Sequence, residues 1–227
     1  MKVIEIKNVE KIYNDSQVKV HAVNGINLNF DEGEFAAIVG PSGSGKTTLL
    51  NMIGGLDNPT SGTIEIAGIR IDQLKGSKLI DFRLHNIGFV FQSYNLIPVL
   101  TAKENVEFIM QMQGISGKER SKRTIELLES VGLGDRINAR PSKLSGGQQQ
   151  RVAVARALAS KPKFILADEP TANLDSKSTE NLLDIMEKLN IEENITFIFS
   201  THDARVMKKA RRVISVEDGK VISDERR

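Results

Sequence analysis

The sequence predicts an α/β protein with a mixed sheet at its core, an antiparallel β subdomain on its N-terminal side and an inserted helical lobe. Short apolar runs of strand length recur at 34–40, 86–92, 164–170 and 195–201. Such runs are typical of strands that are buried on both faces. Residues 3–13 and 20–30 instead alternate apolar with polar side chains, which is the pattern of strands with one solvated face.

The remaining elements are predicted from local signals along the chain. A helix is expected from Lys46 to the glycine pair at 54–55, and residues 62–71 alternate like a strand. Residues 101–131 are predicted to be helical in two pieces, separated by "GISGKE", and a polar turn is expected at 14–16. The tail contains a hairpin signal, "EDGK". Apolar residues at i, i+3, i+4 and i+7 predict a further helix over Leu182, Ile185, Met186 and Leu189.

Length and composition narrow the class of protein. A chain of 227 residues with 40% hydrophobic and 26% charged residues can bury one sizeable core. The net charge of +2 and the lack of a polybasic stretch give no footprint for nucleic acid or lipid. The chain has no cysteine, which excludes disulfides and cysteine metal sites and fits a cytosolic location. No apolar run approaches the ~18 residues of a membrane span, and the N-terminus does not resemble a signal peptide.

The stretch "GPSGSGKTT" matches the phosphate-loop pattern G-x-x-x-x-G-K-[ST] between a predicted strand and a predicted helix. Glycines let backbone N–H groups close around phosphate oxygens, and the helix N-terminus adds a positive dipole. Lys46 is expected to reach the β- and γ-phosphates, and the Thr47 hydroxyl is a hard ligand for Mg²⁺. The alternative is a glycine turn ahead of a helix. Such a turn does not require every residue that the phosphate-loop pattern fixes, and all of them are present here. The predicted nucleotide-binding residues are Gly40, Pro41, Ser42, Gly43, Ser44, Gly45, Lys46, Thr47 and Thr48.

Two adjacent carboxylates follow the apolar run "FILADE". Asp168 is placed to hold Mg²⁺, and Glu169 to act as the base for an attacking water. The alternative is a pair of solvated carboxylates at a strand end. The phosphate loop in the same chain favours an active site for ATP hydrolysis.

A second glycine-rich helix entrance occurs in "LSGGQ", at 144–148. Ser145 and Gln148 fit a capping box, so a well-capped helix is one explanation. It does not account for Gly146 and Gly147, because glycines in a first helical turn weaken a helix unless a backbone must approach closely. A second phosphate cradle in a chain with one nucleotide site predicts two chains packed head to tail. Each loop would then cover the γ-phosphate bound to the other chain.

Together, "GPSGSGKTT", Gln92, "LSGGQ", "FILADEP", "ANLD" and "STHD" resemble the ATP-binding subunit of an ABC transporter over essentially the whole chain. The resemblance implies a single P-loop NTPase cassette over 1–227. Its core and β subdomain would be 1–92 and 161–227, and its helical lobe about 93–160. It also implies an ATP-dependent homodimer that sandwiches two ATP molecules with Mg²⁺.

The resemblance assigns further residue roles. Residues 144–148, which are Leu144, Ser145, Gly146, Gly147 and Gln148, would meet the partner's ATP. Gln92 would contact Mg²⁺ and the attacking water, Asp175 would cross the dimer interface, and His202 would contact the γ-phosphate. Tyr13 would stack on adenine. The ordinary alternatives are structural packing for His202 and Tyr13, and a strand-end polar residue for Gln92.

The stretches "ADEPTANLDSKS" and "FVFQSYNLIPVLTAKENV" most resemble the branch that serves lipoprotein-release, macrolide-efflux and cell-division permeases. This resemblance implies a separate integral membrane permease as partner, no nucleic acid, and a cytoplasmic location on the inner face of the membrane. One alternative is the ATPase of an importer for amino acids or other small solutes. Another is a cassette protein of translation or DNA repair, although such proteins carry two cassettes or long insertions.

The segment 93–100, "SYNLIPVL", is apolar, but Pro98 opposes a continuous helix there. Two interpretations remain open. The segment either forms a groove for a short helix of the membrane partner, or it packs the helical lobe onto the core.

Overall fold

The structure is a computed structural model that describes residues 1–14 and 19–227, so that of the turn predicted at 14–16 only Asn14 is described. These residues form ten β-strands: β1 (Lys2–Tyr13), β2 (Val20–Asp31), β3 (Phe35–Val39), β4 (Ser61–Ile66), β5 (Ile69–Arg70), β6 (Ile87–Phe91), β7 (Phe164–Asp168), β8 (Thr196–Ser200), β9 (Arg212–Glu217) and β10 (Lys220–Arg226). They also form seven α-helices: α1 (Lys46–Ile53), α2 (Ser77–Asn86), α3 (Ala102–Met112), α4 (Gly117–Ser130), α5 (Gly146–Ala159), α6 (Ser176–Glu193) and α7 (Ala204–Lys209).

The central sheet has six strands in the order β10-β9-β3-β8-β7-β6. Strands β9, β3, β8, β7 and β6 are parallel to one another, and the edge strand β10 is antiparallel to β9. The mixed sheet predicted from the apolar runs is therefore confirmed. The predicted hairpin on "EDGK" is confirmed too, because Asp218 and Gly219 take φ values of 46° and 73°, as a two-residue type I′ turn requires.

A second, antiparallel sheet has the order β2-β1-β4-β5 and corresponds to the predicted N-terminal β subdomain. The alternation over 62–71 does not form one strand. Ala67 and Gly68 take φ values of 48° and 81°, which turns the chain back on itself between β4 and β5. A period-2 pattern continues through a tight turn, so the pattern alone could not show the break.

The central sheet is buried on both faces. In β3, Phe35, Ala37 and Val39 pack into one hydrophobic cluster, while Ala36 and Ile38 pack into another on the opposite face. The first cluster contains apolar residues of α3, α4, α5 and α6, and the second contains those of α1 and the antiparallel sheet. The molecule thus has three layers, and its central strands are apolar throughout because neither face meets water.

The helical lobe begins with a well-defined N-cap. Thr101 and Glu104 form a reciprocal capping box at the start of α3, and the chain leaves this helix through Gly114, with a φ of 75°, before α4 begins. The two predicted helical pieces are therefore present. Helix α2 was not predicted, because Phe82 is its one buried side chain and its sequence carries little apolar periodicity.

The parallel strands place four functional segments at one edge of the sheet. Strands β3, β6, β7 and β8 end directly before Gly40, Gln92, Glu169 and Thr201. Because parallel strands share their direction, their carboxyl ends lie together, and ligands of open α/β sheets bind at that edge.

The C-terminal hairpin is fastened to the core by Arg212, whose side chain is 5% exposed. Its guanidinium donates to Asp224 with 2.7 Å contacts to both carboxylate oxygens. It also donates to Glu34 and to the carbonyl oxygen of Asn29, each at 2.7 Å, and lies 5.0 Å from the centre of the Phe30 ring. One buried cation therefore joins β9, β10 and β2.

We expect Arg212→Met to lower the free energy of unfolding by about 3 kcal/mol, because it leaves the Glu34 and Asp224 carboxylates without their buried cation. Arg226→Met is the matched control. Arg226 contacts the same Glu34 at 3.0 Å but is 61% exposed, so its loss should cost less than about 1 kcal/mol. Urea unfolding of both variants measures the difference. Equal losses in the two variants would contradict the role assigned to Arg212.

Candidate functional site

The phosphate loop lies between β3 and α1, as predicted. Its glycines are required by the backbone, because a Cβ at Gly40 would clash with the carbonyl oxygen of Val216, and one at Gly45 with that of Ala22. Lys46 is buried, and its ammonium donates to the carbonyl oxygens of Gly40 and Pro41 at 2.9 and 2.8 Å. The lysine thereby holds the loop closed around its own side chain.

A cleft of about 900 Å³ opens over this loop. It brings together most of the predicted site. Its lining comprises Val20, His21, Ala22, Gly40, Pro41, Ser42, Gly43, Gly45, Lys46, Thr47, Thr48, Gln92, Glu169, His202 and Asp218. The Ser44 hydroxyl is buried beside the loop and has no hydrogen-bond partner within the described part of the chain.

Thr47 and Asp168 meet at the edge of the cleft. The Thr47 hydroxyl donates to Asp168 Oδ1 at 3.1 Å, so a hydroxyl oxygen and a carboxylate oxygen point at the same place. Mg²⁺ prefers one or two such protein oxygens and completes its shell with water and phosphate oxygens. The residues present therefore fit a magnesium ion held jointly with a bound nucleotide.

Glu169 directly follows β7 with a φ of 46°, a left-handed conformation that is uncommon for a residue with a side chain. Its backbone N–H donates to the carbonyl oxygen of Ser200 at 2.8 Å. His202 Nδ1 lies 2.7 Å from Oε1 of its carboxylate, and the Thr201 hydroxyl donates to Oε2 at 3.2 Å. Both carboxylate oxygens are thus held by the loop that follows β8, and the structure brings Glu169 and His202 together.

Asp203 ties this loop to the segment after Glu169. Its carboxylate accepts hydrogen bonds from the Arg205 guanidinium and from the Thr171 hydroxyl, the latter at 2.9 Å. Its backbone N–H donates to the Thr201 hydroxyl oxygen at 3.0 Å. The Arg205 guanidinium, with help from the backbone and from Thr171, lowers the pKa of Asp203 to about 2. Sequence reasoning missed Thr171, Thr201 and Asp203, although two of them flank His202 in "STHD".

Gln92 is exposed at the end of β6 and lines the cleft. Its carbonyl oxygen accepts from the side-chain amide of Asn173 at 3.1 Å. Asp175 caps α6, where it accepts hydrogen bonds from the backbone N–H and hydroxyl of Ser178 at 2.9 and 2.7 Å. The Ser178 hydroxyl lowers the pKa of Asp175. Asp175 is exposed, so it combines a structural role in the chain with a position open to a second molecule.

Tyr13 is not among the residues that line the cleft. Its hydroxyl donates to Asp57 at 2.7 Å, and the Lys11 ammonium lies 4.9 Å from the centre of its ring. Its strand partner Val20 does line the cleft. The adenine-stacking role therefore remains a prediction for a residue beside the cleft.

The "LSGGQ" stretch at 144–148, which we call the signature loop, forms the start of α5. There Ser145 and Gln148 make the predicted capping box. The two glycines have a reason within the chain that the sequence did not reveal. A Cβ at Gly146 would lie 2.7 Å from the Tyr94 hydroxyl, and one at Gly147 would lie 2.9 Å from the Ser178 hydroxyl. Other groups do approach the backbone closely at both glycines, as inferred, but these groups include side chains of the same molecule.

The loop borders a cavity of its own, of about 260 Å³. Its lining comprises Ser145, Gly147, Gln148, Arg151, Lys177, Ser178 and Asn181. Among the described residues, none lines both this cavity and the cleft over the phosphate loop. The signature loop is therefore separate from the nucleotide cleft of its own chain.

A third cavity, of about 380 Å³, is an apolar groove between α2, β6, α3 and α5 that the sequence did not predict. We call it the lobe groove, and its lining comprises Ile80, Arg83, Leu84, Ile87, Gly88, Phe89, Phe91, Asn95, Ile109, Met112, Arg156, Ala157 and Ser160. Asn95 is the residue of the segment 93–100 that lines the lobe groove. In that segment Leu96 packs against the core whereas Val99 is 72% exposed, so each of the two interpretations fits part of it.

No helix in the parts of the chain that the structure describes is both long and apolar enough to cross a membrane.

The family model described as ABC transporter matches residues 23–172. An ABC transporter ATP-binding protein of Thermotoga maritima is 50% identical, covering 100% of this chain and 96% of its own length. The macrolide export ATP-binding/permease protein MacB of Hyphomonas neptunium is 47% identical over 97% of this chain, which spans 34% of MacB.

Solved structures of ATP-binding cassettes also match this chain. The dimeric post-hydrolysis state of the ATP-binding cassette MJ0796 bound to ADP and Pi matches with a TM-score of 0.90 and 47% identity, and the match covers 98% of both chains. The ABC transporter ATP-binding protein MJ0796 of Methanocaldococcus jannaschii is also 49% identical over 98% of this chain. The phosphate loop, the carboxylates of Asp168 and Glu169 at the end of β7 and the capped signature helix thus occur in a fold shared almost end to end. The chain belongs to the ABC transporter family, as an ATP-binding cassette.

Proposed function

We propose that this chain hydrolyses ATP with Mg²⁺ as the energy-supplying subunit of an ABC transporter. In this proposal two copies close over two ATP molecules, and the power stroke acts on a separate membrane permease of the lipoprotein-release or macrolide-efflux type. The observation that carries the proposal is the meeting of Glu169, His202 and the Thr47–Asp168 pair at the edge of one cleft.

Nucleotide binding rests on the phosphate loop. Backbone N–H groups at the start of α1 face the phosphates, and their dipoles favour negative charge. Lys46 exchanges its contacts with the carbonyl oxygens of Gly40 and Pro41 for the β- and γ-phosphates. Tyr13 supplies an aromatic face beside the cleft for adenine.

Thr47 and Asp168 would hold the magnesium ion, with Gln92 close by on the same cleft. When bound, the ion neutralises charge on the β- and γ-phosphates during transfer. Asp168 contributes its charge from the end of a buried strand, so its position is fixed by the sheet.

Glu169 accepts the proton of the attacking water. Its carboxylate is bonded on both oxygens in this structure, to His202 and to Thr201. The His202 side chain is 75% exposed, so it can turn from Glu169 towards a γ-phosphate without disturbing the core. That turn frees Oε1 for the water, while Thr201 continues to hold Oε2.

In this proposal the signature loop binds a nucleotide that is held by a second copy. It lies at the N-terminus of α5, beside the basic side chains of Arg151 and Lys177, in a cavity apart from its own phosphate loop. A helix N-terminus with nearby cations suits a phosphate. The dimeric state of MJ0796 with ADP and Pi supports the same arrangement here, in which exposed Asp175 lies near the interface.

The permease type is inferred from the relatives. MacB proteins join a cassette 45–47% identical to this chain to further sequence that makes up about two thirds of their length. The relatives from Thermotoga maritima and Methanocaldococcus jannaschii are matched over 96–97% of their length, which supports a permease on a separate chain. We assign the lobe groove as its docking place. A cassette docked on such a permease would lie on the cytoplasmic face of the membrane.

Glu169→Gln should keep ATP binding but stop turnover, because an amide cannot accept the proton of the attacking water. ATP should then hold two copies together. Sedimentation velocity with and without ATP measures the dimer, and phosphate release measures turnover. Hydrolysis at the parental rate, or a failure to dimerise with ATP, would contradict the role of Glu169.

Ser145→Arg and Lys46→Ala test whether each site is shared between two copies. Ser145→Arg should bind nucleotide as a monomer but lose ATPase activity, because its own phosphate loop is intact while the loop facing the partner is blocked. Mixing the two inactive variants should restore part of the activity, since a mixed dimer keeps one intact composite site. Loss of nucleotide binding by the Ser145→Arg monomer, or no rescue at any mixing ratio, would count against shared sites.

Met112→Lys tests the docking place. Met112 lies on the lobe groove and is 54% exposed, so a lysine there should leave ATP binding intact while placing a charge on the docking surface. The matched control is Ile222→Lys on β10, where the side chain is 62% exposed and outside the groove. We expect Met112→Lys alone to lose co-purification with a permease from detergent-solubilised membranes. Equal recovery with both variants would show that docking does not use this groove.

A further inference from the structure

The described lining of the lobe groove contains two cations and no anion. Among the described residues that line it, Arg83 and Arg156 are charged and none is acidic. The other walls are largely aliphatic or aromatic, with Phe89 and Phe91 stacked at 5.6 Å between ring centres. A cation in such surroundings is unfavourable unless hydrogen bonds or a counter-charge compensate for the lost water.

The two arginines differ in how well they are compensated. Arg156 donates to the backbone carbonyl oxygens of Tyr94 and Asn95 and so closes the floor of the groove. The Nε atom of Arg83 is buried and has no hydrogen-bond partner within residues 1–14 and 19–227. Its guanidinium lies 5.6 Å from the centre of the Phe89 ring, and no carboxylate of those residues is within ion-pair distance of it.

Two further facts show that the described residues do not compensate the charge of Arg83. Burial lowers the pKa of the Arg83 guanidinium, and no acid among the described residues offsets this effect. Asp81, two residues away on α2, is exposed and pairs with His85, with 3.4 Å between the carboxylate and the ring. Arg83 therefore lies in an apolar groove and has no counter-charge from the part of the chain that the structure describes.

We infer that the permease segment that docks in the lobe groove carries an Asp or Glu side chain, flanked by apolar residues, that pairs with Arg83. This inference rests on the proposed function, because it names the chemistry of the permease segment. A carboxylate fits the planar guanidinium with two parallel hydrogen bonds, and the apolar flanks fit the aliphatic and aromatic walls. The pairing would fix the register of the docked segment.

A protein carboxylate fits this groove better than a phosphate does. A phosphate carries more charge and needs several donors. The described lining of the groove offers one guanidinium without a counter-charge, among apolar walls. Apolar walls instead match the side chains of a short amphipathic segment. The occupant is therefore a peptide segment of the permease.

The first measurement uses the isolated cassette. Arg83→Met keeps the length of the side chain and removes the uncompensated donor, so its melting temperature should equal or exceed that of the parent. ATP binding should be unchanged. A melting temperature several degrees lower would show that Arg83 stabilises the fold, and the inference would fail.

The second measurement uses the permease that co-purifies with the parental cassette. Arg83→Glu should weaken its binding about thirty-fold or more, because a like charge faces the buried carboxylate. Arg83→Lys should lose less, and Arg136→Glu, at an exposed arginine outside the groove, should bind as the parent does. Each Asp and Glu of the cytoplasmic segments of the permease is then changed to Arg in turn. One of these changes should restore binding to Arg83→Glu.

The outcomes separate this inference from the proposed function. If Met112→Lys abolishes binding while Arg83→Met binds like the parent, the groove receives the permease without a carboxylate. If neither variant affects binding, docking in the groove itself is wrong. If no acidic-to-Arg change rescues Arg83→Glu, the pairing fails. If Arg83→Glu alters only self-association of the cassette without permease, the occupant is a second copy and the inference is also overturned.

Discussion

The structure depends on one constraint, the parallel direction of the central strands. Because β3, β6, β7 and β8 run the same way, the chain leaves each of them at the same edge of the sheet. The phosphate loop, Gln92, the two carboxylates and the "STHD" loop therefore meet although they are far apart in sequence. Burial on both faces fixes the register of these strands, since a slip of one residue would exchange the two hydrophobic clusters. The packing of the core therefore fixes the relative positions of the site residues.

At that edge, hydrogen bonds from the loop that follows β8 set the local geometry of Glu169. Glu169 leaves β7 in a left-handed conformation, which turns its carboxylate towards Thr201 and His202. The Asp203 carboxylate keeps the "STHD" loop bonded to Thr171, just beyond Glu169. A strained backbone position of this kind persists only where surrounding contacts determine it. The two loops form one unit, and His202 is its exposed, movable member.

Sequence signals predicted the parts of the molecule that depend on local backbone chemistry. The phosphate loop, the capping box of α5, the two-residue hairpin and the buried strands each have a short pattern with a physical cause. Contacts between distant segments could not be predicted in this way. Gly146 beside Tyr94 and Gly147 beside Ser178 are examples, because each pair joins different elements of the fold. The lobe groove could not be predicted for the same reason. Helix α2 shows little apolar periodicity, and the surroundings of Arg83 are formed by Phe89 and the neighbouring helices.

These distant contacts also connect the three cavities. The Gln92 carbonyl on the nucleotide cleft accepts from Asn173, whose own carbonyl oxygen lies 3.5 Å from the Tyr94 hydroxyl. That hydroxyl borders Gly146 of the signature loop, while Asn95 lines the lobe groove. Tyr94 and Asn95 both take positive φ values, 48° and 50°, and their carbonyls are held by Arg156. The short segment after β6 thus contacts the nucleotide cleft, the signature loop and the lobe groove. A displacement of Gln92 by a bound γ-phosphate would act on all three through bonded neighbours.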